Sequence, residues 1–331
     1  MGWWQINADT LAEGRFALSP LAEATAALFA LEARVAGHPG QRAWLDAHLP
    51  AYRERLAADP ITALLLRAAF GAAWTADFLT PAPTGEDDPS FEEELARVRR
   101  TPPATAVSDL AVSMAGPVPA ELHRTDLPER AADLLEWVWR ETVLPSWPQR
   151  RRVLDADIVA RTRLLTQGGW AAALDGLRPG MRWLGEGRLR INTHDYPPRD
   201  LSGSRLLFVP VTPLTPRKGW IGWSLPHRYA VVYVCSGALA DVDTVPVPEA
   251  LGALIGPARA KVLILLGTPK STTQLVALTG QGLGSVGRHL KILLDAHLVR
   301  RRRAGRSVLY YRTSTGDALA EAFDGQPAGS R

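Results

Sequence analysis

Residues 271–314 read STTQLVALTGQGLGSVGRHLKILLDAHLVRRRRAGRSVLYYRTS, and the order of signals in this stretch decides how the C-terminal part of the chain folds. Ser271 ahead of Thr-Thr-Gln marks a helix start, and Gly280 marks its stop. Val286, Leu290, Leu293 and Leu294 then recur at helical spacing, which predicts a second helix over 283–296. A short helix that ends on glycine and is followed at once by a longer one is the pattern of a helix-turn-helix, whose first helix braces the second. With the apolar residues turned inward, Gly284, Ser285, Gly287, Arg288 and Lys291 fall near the outer face at the start of the second helix, where base edges would be read. His289 is placed to approach a phosphate backbone.

Residues 299–312, VRRRRAGRSVLYYR, follow directly. Four consecutive arginines repel one another, and in isolation such a run reads as a solvated charge patch. After a recognition-type helix it reads instead as a two-stranded wing with its turn around Ala304 and Gly305. A hairpin sends consecutive side chains to opposite faces, and a nucleic-acid backbone neutralises what repulsion remains. Arg303 and Arg306 are predicted to flank the tip of this wing.

Charge is distributed in the same sense. Residues 257–313 hold eleven Lys or Arg and one acid, Asp295, a balance of +10; the whole chain of 331 residues carries +4, so the remainder carries −6. A basic module attached to an acidic body implies that one end meets a polyanion. VDTVPVPEA, residues 242–250, contains Pro246 and Pro248 and reads as a linker. The expected organisation is therefore an N-terminal α+β domain over 1–241, a linker over 242–248 and a winged helix-turn-helix domain over 249–325.

The N-terminal part reads as helical as far as residue 177. Ser19 with Pro20, Asp59 with Pro60 and Asp88 with Pro89 each offer an N-cap followed by proline in the first turn. Leu21, Leu28, Leu31 and Val35 form an apolar stripe at helical spacing. Longer helices are expected over 127–144 and 146–167, broken near Pro145 and at Gly168-Gly169, with Arg150 to Arg152 on solvated faces. From Met181 short extended runs such as RLLFVPV and YAVVYVC predict a mainly antiparallel sheet. All eleven tryptophans, Trp3 to Trp223, precede the linker; they are expected to fill the core, and indoles can also line an apolar ligand pocket.

The C-terminal stretch resembles the winged helix of the ArsR/SmtB family of bacterial transcriptional regulators, over roughly residues 249–323. The resemblance lies in STT-x-L at the first helix, V-x-R-H-L-K-x-L on the second, the A-x-L-V exit and G-R-x-V-L-Y-Y on the wing. More loosely, GRFALSPLAEATAALFAL near the N-terminus is similar to the large N-terminal domain of ArsR-type regulators in actinobacteria. The resemblance implies a sequence-specific transcriptional regulator of double-stranded DNA, read as a ligand-responsive repressor with the direction of regulation left open; because one winged helix reads too few base pairs to stand out in a genome, a homodimer on an inverted repeat is expected. DNA contacts are expected from Ser271, Thr272, Gln274, Gly284, Ser285, Gly287, Arg288, His289, Lys291, Arg303 and Arg306, and the N-terminal domain is expected to dimerise or to bind a small-molecule effector, which the resemblance does not identify. Metal-sensing relatives carry cysteines at the first helix or Asp, His and Glu on the last; STTQLVALTG and STGDALAEAFDG lack those sets, so no metal and no cofactor is expected.

Other chemistry finds little footing. The single cysteine, Cys235, cannot form a disulfide within the chain, and GxSxG, GxGxxG, P-loop and HExxH patterns are absent from the first 245 residues, where an enzyme's polar constellation would have to lie. His194 and Asp195 in INTHDYPP read as a turn rather than a catalytic pair, so no catalytic residue is assigned. MGWWQINADT lacks the pattern of a signal peptide and the most apolar segment is cut by Arg67, which points to a cytoplasmic protein with no membrane partner. An enzyme with a DNA-binding tail is the other function class open at this level.

Overall fold

The structure is a computed structural model that describes residues 2–35, 39–71, 74–85, 89–174, 177–192, 197–212, 219–224, 227–235, 247–267, 270–304 and 307–324. It mixes helix and sheet and divides into two units, Met1–Cys235 and Ser236–Arg331. No helix among the described residues is long and apolar enough to cross a membrane. The expected linker falls largely outside the described residues, and its last position, Pro248, precedes the first helix of the second unit.

In the first unit β1 (Trp3–Gln5), α1 (Ala8–Ala12) and β2 (Arg15–Phe16) lead into α2 (Pro20–Ala33), α3 (Pro39–Ala58) and α4 (Pro60–Ala69). Next come α5 (Phe91–Arg99), α6 (Pro103–Met114), α7 (Leu127–Val138) and α8 (Trp147–Leu174). The strands β3 (Arg182–Gly185), β4 (Arg188–Arg190), β5 (Arg199–Asp200), β6 (Arg205–Val211), β7 (Trp220–Ser224) and β8 (Arg228–Val234) complete it.

The helix boundaries follow local chemistry. Ser19 accepts from the Ala22 N–H and Asp59 from the Thr62 N–H, each ahead of a proline in the first turn. The third expected cap, Asp88, lies outside the described residues; α5 starts instead from Ser90, whose hydroxyl and backbone form a reciprocal box with Glu93. Between α7 and α8 the chain widens into a π turn over Trp139–Val143 and tightens over Leu144–Ser146, where Pro145 sits. Gly168 and Gly169 leave helical geometry, Gly169 at φ +65°, and the helix then resumes to Leu174.

Two sequence expectations fail around α2. Val35 lies beyond the end of the helix and is 55% exposed, because Arg34 turns the chain out at φ +56°. More important, every residue from Pro20 to Leu31 is buried, so α2 has no polar face and runs through the middle of the unit. Glu23 is buried with it, and its partner is Arg150 of α8, only 1% exposed rather than solvated. Arg150 donates through Nη1 to Glu23 Oε1 at 2.6 Å and to Thr212 Oγ1 at 3.0 Å, and through Nε to Ser146 Oγ at 2.8 Å. Thr212 donates its backbone N–H to Glu23 Oε2 at 2.9 Å. A carboxylate trapped inside a fully buried helix requires such a cation, since burying it alone costs several kcal/mol.

The expectation of a mainly antiparallel sheet is also corrected. The central sheet runs β2-β6-β8-β7, with β2, β6 and β8 parallel and β7 antiparallel at one edge. On one face Leu207, Val209, Ala230 and Val232 pack on Ala22 and Ala26 of α2. On the other Leu206, Phe208, Val231 and Tyr233 pack with Trp170 and Leu174 of α8. Burial on both faces explains the continuous apolar runs, which carry no alternation and belong to parallel strands covered on each side. A second sheet, β3-β4-β1-β5, is antiparallel except for β5 and recruits Trp3–Gln5 from the N-terminus.

Of the tryptophans, Trp4 and Trp139 are buried in the core: Trp139 stacks on Phe91 at 4.7 Å and meets the partly buried Trp147 edge-on at 5.1 Å, while Trp4 meets Tyr229 edge-on at 5.6 Å. Between α2 and the sheet, around Trp220, lie two voids of about 10 Å³ each, room for a single water apiece.

Candidate nucleic-acid interface

The second unit contains α9 (Glu249–Ile255), α10 (Pro257–Leu265), β9 (Lys270–Ser271), α11 (Thr272–Thr279), α12 (Leu283–Asp295), β10 (Val299–Ala304), β11 (Ser307–Arg312) and α13 (Ser314–Asp324). Its core joins Val262, Leu263, Leu265 and Leu266 to Leu275 and Leu278 of α11, to Val286, Leu290 and Leu293 of α12, and to Val299. Leu294 and Tyr310 pack against this cluster.

The reversal between α11 and α12 rests on Gly280, which caps α11 at φ +69° and donates its N–H to Val276 O at 3.0 Å. That left-handed geometry is open to glycine without the steric cost of a Cβ. At the other end of α11 the Ser271 hydroxyl accepts from the Gln274 N–H at 3.2 Å, and the Gln274 side-chain carbonyl accepts from the Ser271 N–H at 2.7 Å. Two of the expected contact residues thus form a capping box that holds the start of α11. Thr272 is half-buried in the first turn.

On α12 the inward residues Val286, Leu290 and Leu293 leave a stripe on the opposite side made of Gly284, Gly287, Arg288 and Lys291, all exposed and related by steps of three, one and three. A Cβ added at Gly284 or Gly287 would meet nothing within 4 Å. Ser285 and His289 flank the stripe and are half-buried, with the Ser285 hydroxyl 3.3 Å from His289 Nε2 and 3.3 Å from Gln281 Oε1. Burial lowers the pKa of His289, and the nearby guanidinium groups of Arg259 and Arg288 lower it further. His289 therefore faces a helical neighbour and favours the neutral imidazole, while the fixed positive charge of the face comes from Arg288 and Lys291.

The arginine run forms β10, paired antiparallel with β11 from Val299↔Arg312 to Ala304↔Ser307, and β11 pairs in turn with β9. Arg306 lies outside the described residues, and so does the side chain of Arg303, which stands opposite Val308. Arg300, Arg301 and Arg302 are exposed; alternation puts Arg300 and Arg302 on the face of Leu309 and Tyr311, and Arg301 on the face of Tyr310. The sequence alone points to the tip of the hairpin and not to these three; the strand register is the signal that distinguishes them. Arg312, by contrast, is an anchor: its Nη2 donates to Ile264 O at 3.3 Å and its Nη1 lies 3.6 Å from Asp317.

The remaining polar candidates do not assemble. His194 and Asp195 lie outside the described residues, Cys235 is buried, and no group of three or more His, Cys, Asp or Glu side chains suited to a metal ion occurs among the described residues. Comparison of the chain with protein-family models, with curated proteins and with solved structures returned no match.

Proposed function

We propose that this protein is a sequence-specific DNA-binding transcriptional regulator whose second unit works as a winged helix-turn-helix of the ArsR/SmtB type. The observation that carries the reading is the exposed stripe of Gly284, Gly287, Arg288 and Lys291 on α12, backed by a buried apolar face and followed by a hairpin with exposed Arg300, Arg301 and Arg302. An α-helix fits the major groove of B-form DNA, and a side without bulky residues lets its backbone come close to base edges. In this reading Arg288, forked and planar, reads a guanine edge, Lys291 meets phosphate, and the hairpin arginines lie along the backbone. The capping box of Ser271 and Gln274 sets the angle at which α11 braces α12 rather than reading bases.

One such unit reads too few base pairs to select a site in a genome, so the protein acts as a homodimer on an inverted repeat with half-site centres about 10 bp, or a multiple, apart. The first unit supplies effector response, and repression follows from occupancy of the operator. Selection of fragments from host genomic DNA by the purified protein, followed by footprinting, tests the reading. Enrichment of a shared palindrome is expected, together with a loss of discrimination of about 1–3 kcal/mol in Arg288→Ala. Uniform recovery of all fragments, or unchanged selectivity in Arg288→Ala, would overturn it.

A further inference from the structure

A second basic site lies in the first unit, at the edge of the central sheet. Arg205 begins β6, Arg228 begins β8 and Ser224 ends β7; the register sets Arg205 beside Arg228 and Ser224 opposite Arg228. Residues directly paired across strands share one face and stand about 5 Å apart at Cβ. The face is the one that α2 covers further along, since Leu207, Ala230 and Trp220 occupy the same alternation. Arg97 arrives on it from α5: its Nη2 donates to Ser224 Oγ at 2.7 Å, and its Nη1 donates to the carbonyl of Ala82. The approach of the Ala82 segment depends on Gly222, where a Cβ would stand 2.7 Å from the carbonyl oxygen of Thr80.

Arg97 and Arg228 are therefore both neighbours of Ser224, and Arg205 stands one strand further on, beside Arg228. Among the described residues no carboxylate pairs with Arg205 or Arg228. The acid beside Arg97 is Glu94, which is 2% exposed and already accepts from Ser19 Oγ and the Leu21 N–H, both at 2.9 Å. Burial pushes the pKa of that carboxyl up to about 7, so it is a weak counter-charge. Burial and then the nearby charge of Arg228 lower the pKa of Arg97. Arg97, held by neutral acceptors, and Arg228, both half-buried, together with the exposed Arg205 match the needs of a doubly charged oxyanion.

We propose that Arg97, Arg205, Arg228 and Ser224 form a binding site for a small phosphate-type oxyanion, inorganic phosphate or the phosphate group of a monoester. Arg97 and Ser224 are positioned by their own hydrogen bonds, Arg228 closes the site from β8, and the exposed Arg205 leaves it open to solvent, so that the rest of an esterified ligand stays outside. The site is built from residues of the first unit alone, and the proposal stands whether or not the second unit reads DNA.

Every tryptophan belongs to the first unit, so the thermal midpoint followed by tryptophan fluorescence reports this unit alone. In the full-length chain, inorganic phosphate at low millimolar concentration should raise that midpoint saturably above chloride at matched ionic strength. Arg228→Gln should weaken the apparent phosphate affinity at least tenfold. Arg205→Gln, at an exposed position, should weaken it several-fold and keeps the test alive should Arg228→Gln fail to fold. Arg288→Ala/Lys291→Ala should leave it unchanged. Absence of a saturable shift, an equal shift in folded Arg205→Gln and Arg228→Gln, or loss of the shift only in Arg288→Ala/Lys291→Ala would overturn the proposal. An equal response to every multivalent anion, retained in both glutamine variants, would do the same, since it marks general salting-out rather than a site.

Discussion

Replacing Arg150 by methionine keeps the length and apolar stem of the side chain and removes the charge that Glu23 faces inside the first unit. The substitution abolishes a 2.6 Å ionic hydrogen bond to Glu23, a 3.0 Å bond to Thr212 and a 2.8 Å bond to Ser146. Glu23 keeps Thr212 as a partner, but its carboxylate, 0% exposed, is left without a counter-ion. Stranding one member of a buried pair costs about 3–5 kcal/mol, whereas replacing both members by groups of similar volume is often close to neutral. Arg150→Met is therefore expected to lose about 3–5 kcal/mol and the double variant Glu23→Gln/Arg150→Met to recover most of it. Urea unfolding followed by tryptophan fluorescence isolates the right transition, because all eleven indoles lie between Trp3 and Trp223. With a slope of about 2–3 kcal/mol per molar, the single variant should shift the midpoint by about 1–2 M at unchanged slope. A single variant within about 1 kcal/mol of wild type, or a double variant as damaged as the sum of its parts, would refute the claim that this pair acts as one buried unit.

Three further outcomes follow from the same structure. Replacing Arg300 and Arg302 together by alanine should flatten the dependence of log DNA affinity on log salt by about 0.9 for each phosphate that is no longer neutralised, with circular dichroism unchanged; an unchanged slope would return these arginines to the role of a solvated surface. Gly287→Ala adds a methyl group that meets nothing in the free protein, so it should stabilise α12 by about 0.8–1 kcal/mol while weakening DNA binding, and a variant that gains stability at undiminished affinity would show that DNA does not approach this position. Glu94 has its pKa raised by burial from the usual 4.5 to about 7. Its contribution to stability is thus fully present below about pH 4.5 and is lost as pH rises through 7. Relative to wild type, Glu94→Gln should hold its stability across that window, by a margin on the order of 3 kcal/mol at pH 8, and parallel pH profiles for the two proteins would count against the assignment.

Much of the second unit is readable from one stretch of sequence because its signals are local. Ser271 and Gln274 cap a helix three residues apart, Gly280 permits a turn, and Val286, Leu290 and Leu293 repeat within one helix; each depends on neighbours less than two turns away. The stripe of Gly284, Gly287, Arg288 and Lys291 follows from the same periodicity. The division of labour within the arginine run is not readable, since which of the arginines face outward depends on the pairing of β10 with β11 and on where β9 joins them. Arg312 shows the point: it belongs to the same basic segment, yet it ties the hairpin to Ile264 and Asp317.

In the first unit the helix starts at Ser19 and Asp59 and the breaks at Pro145 and Gly168-Gly169 are legible in the sequence, because capping groups, proline and glycine act on their own backbone. The assembled fold alone reveals that β6 and β8 are parallel, since an apolar run has the same appearance whichever way its neighbour points, and burial on two faces is a property of what packs around it. It likewise decided the fate of the arginines. Arg150 lies 127 residues from Glu23, and Arg97 lies 127 residues from Ser224. No periodicity links positions so far apart; the fold brings them together, and burial then makes the charge of each depend on the partner it finds there.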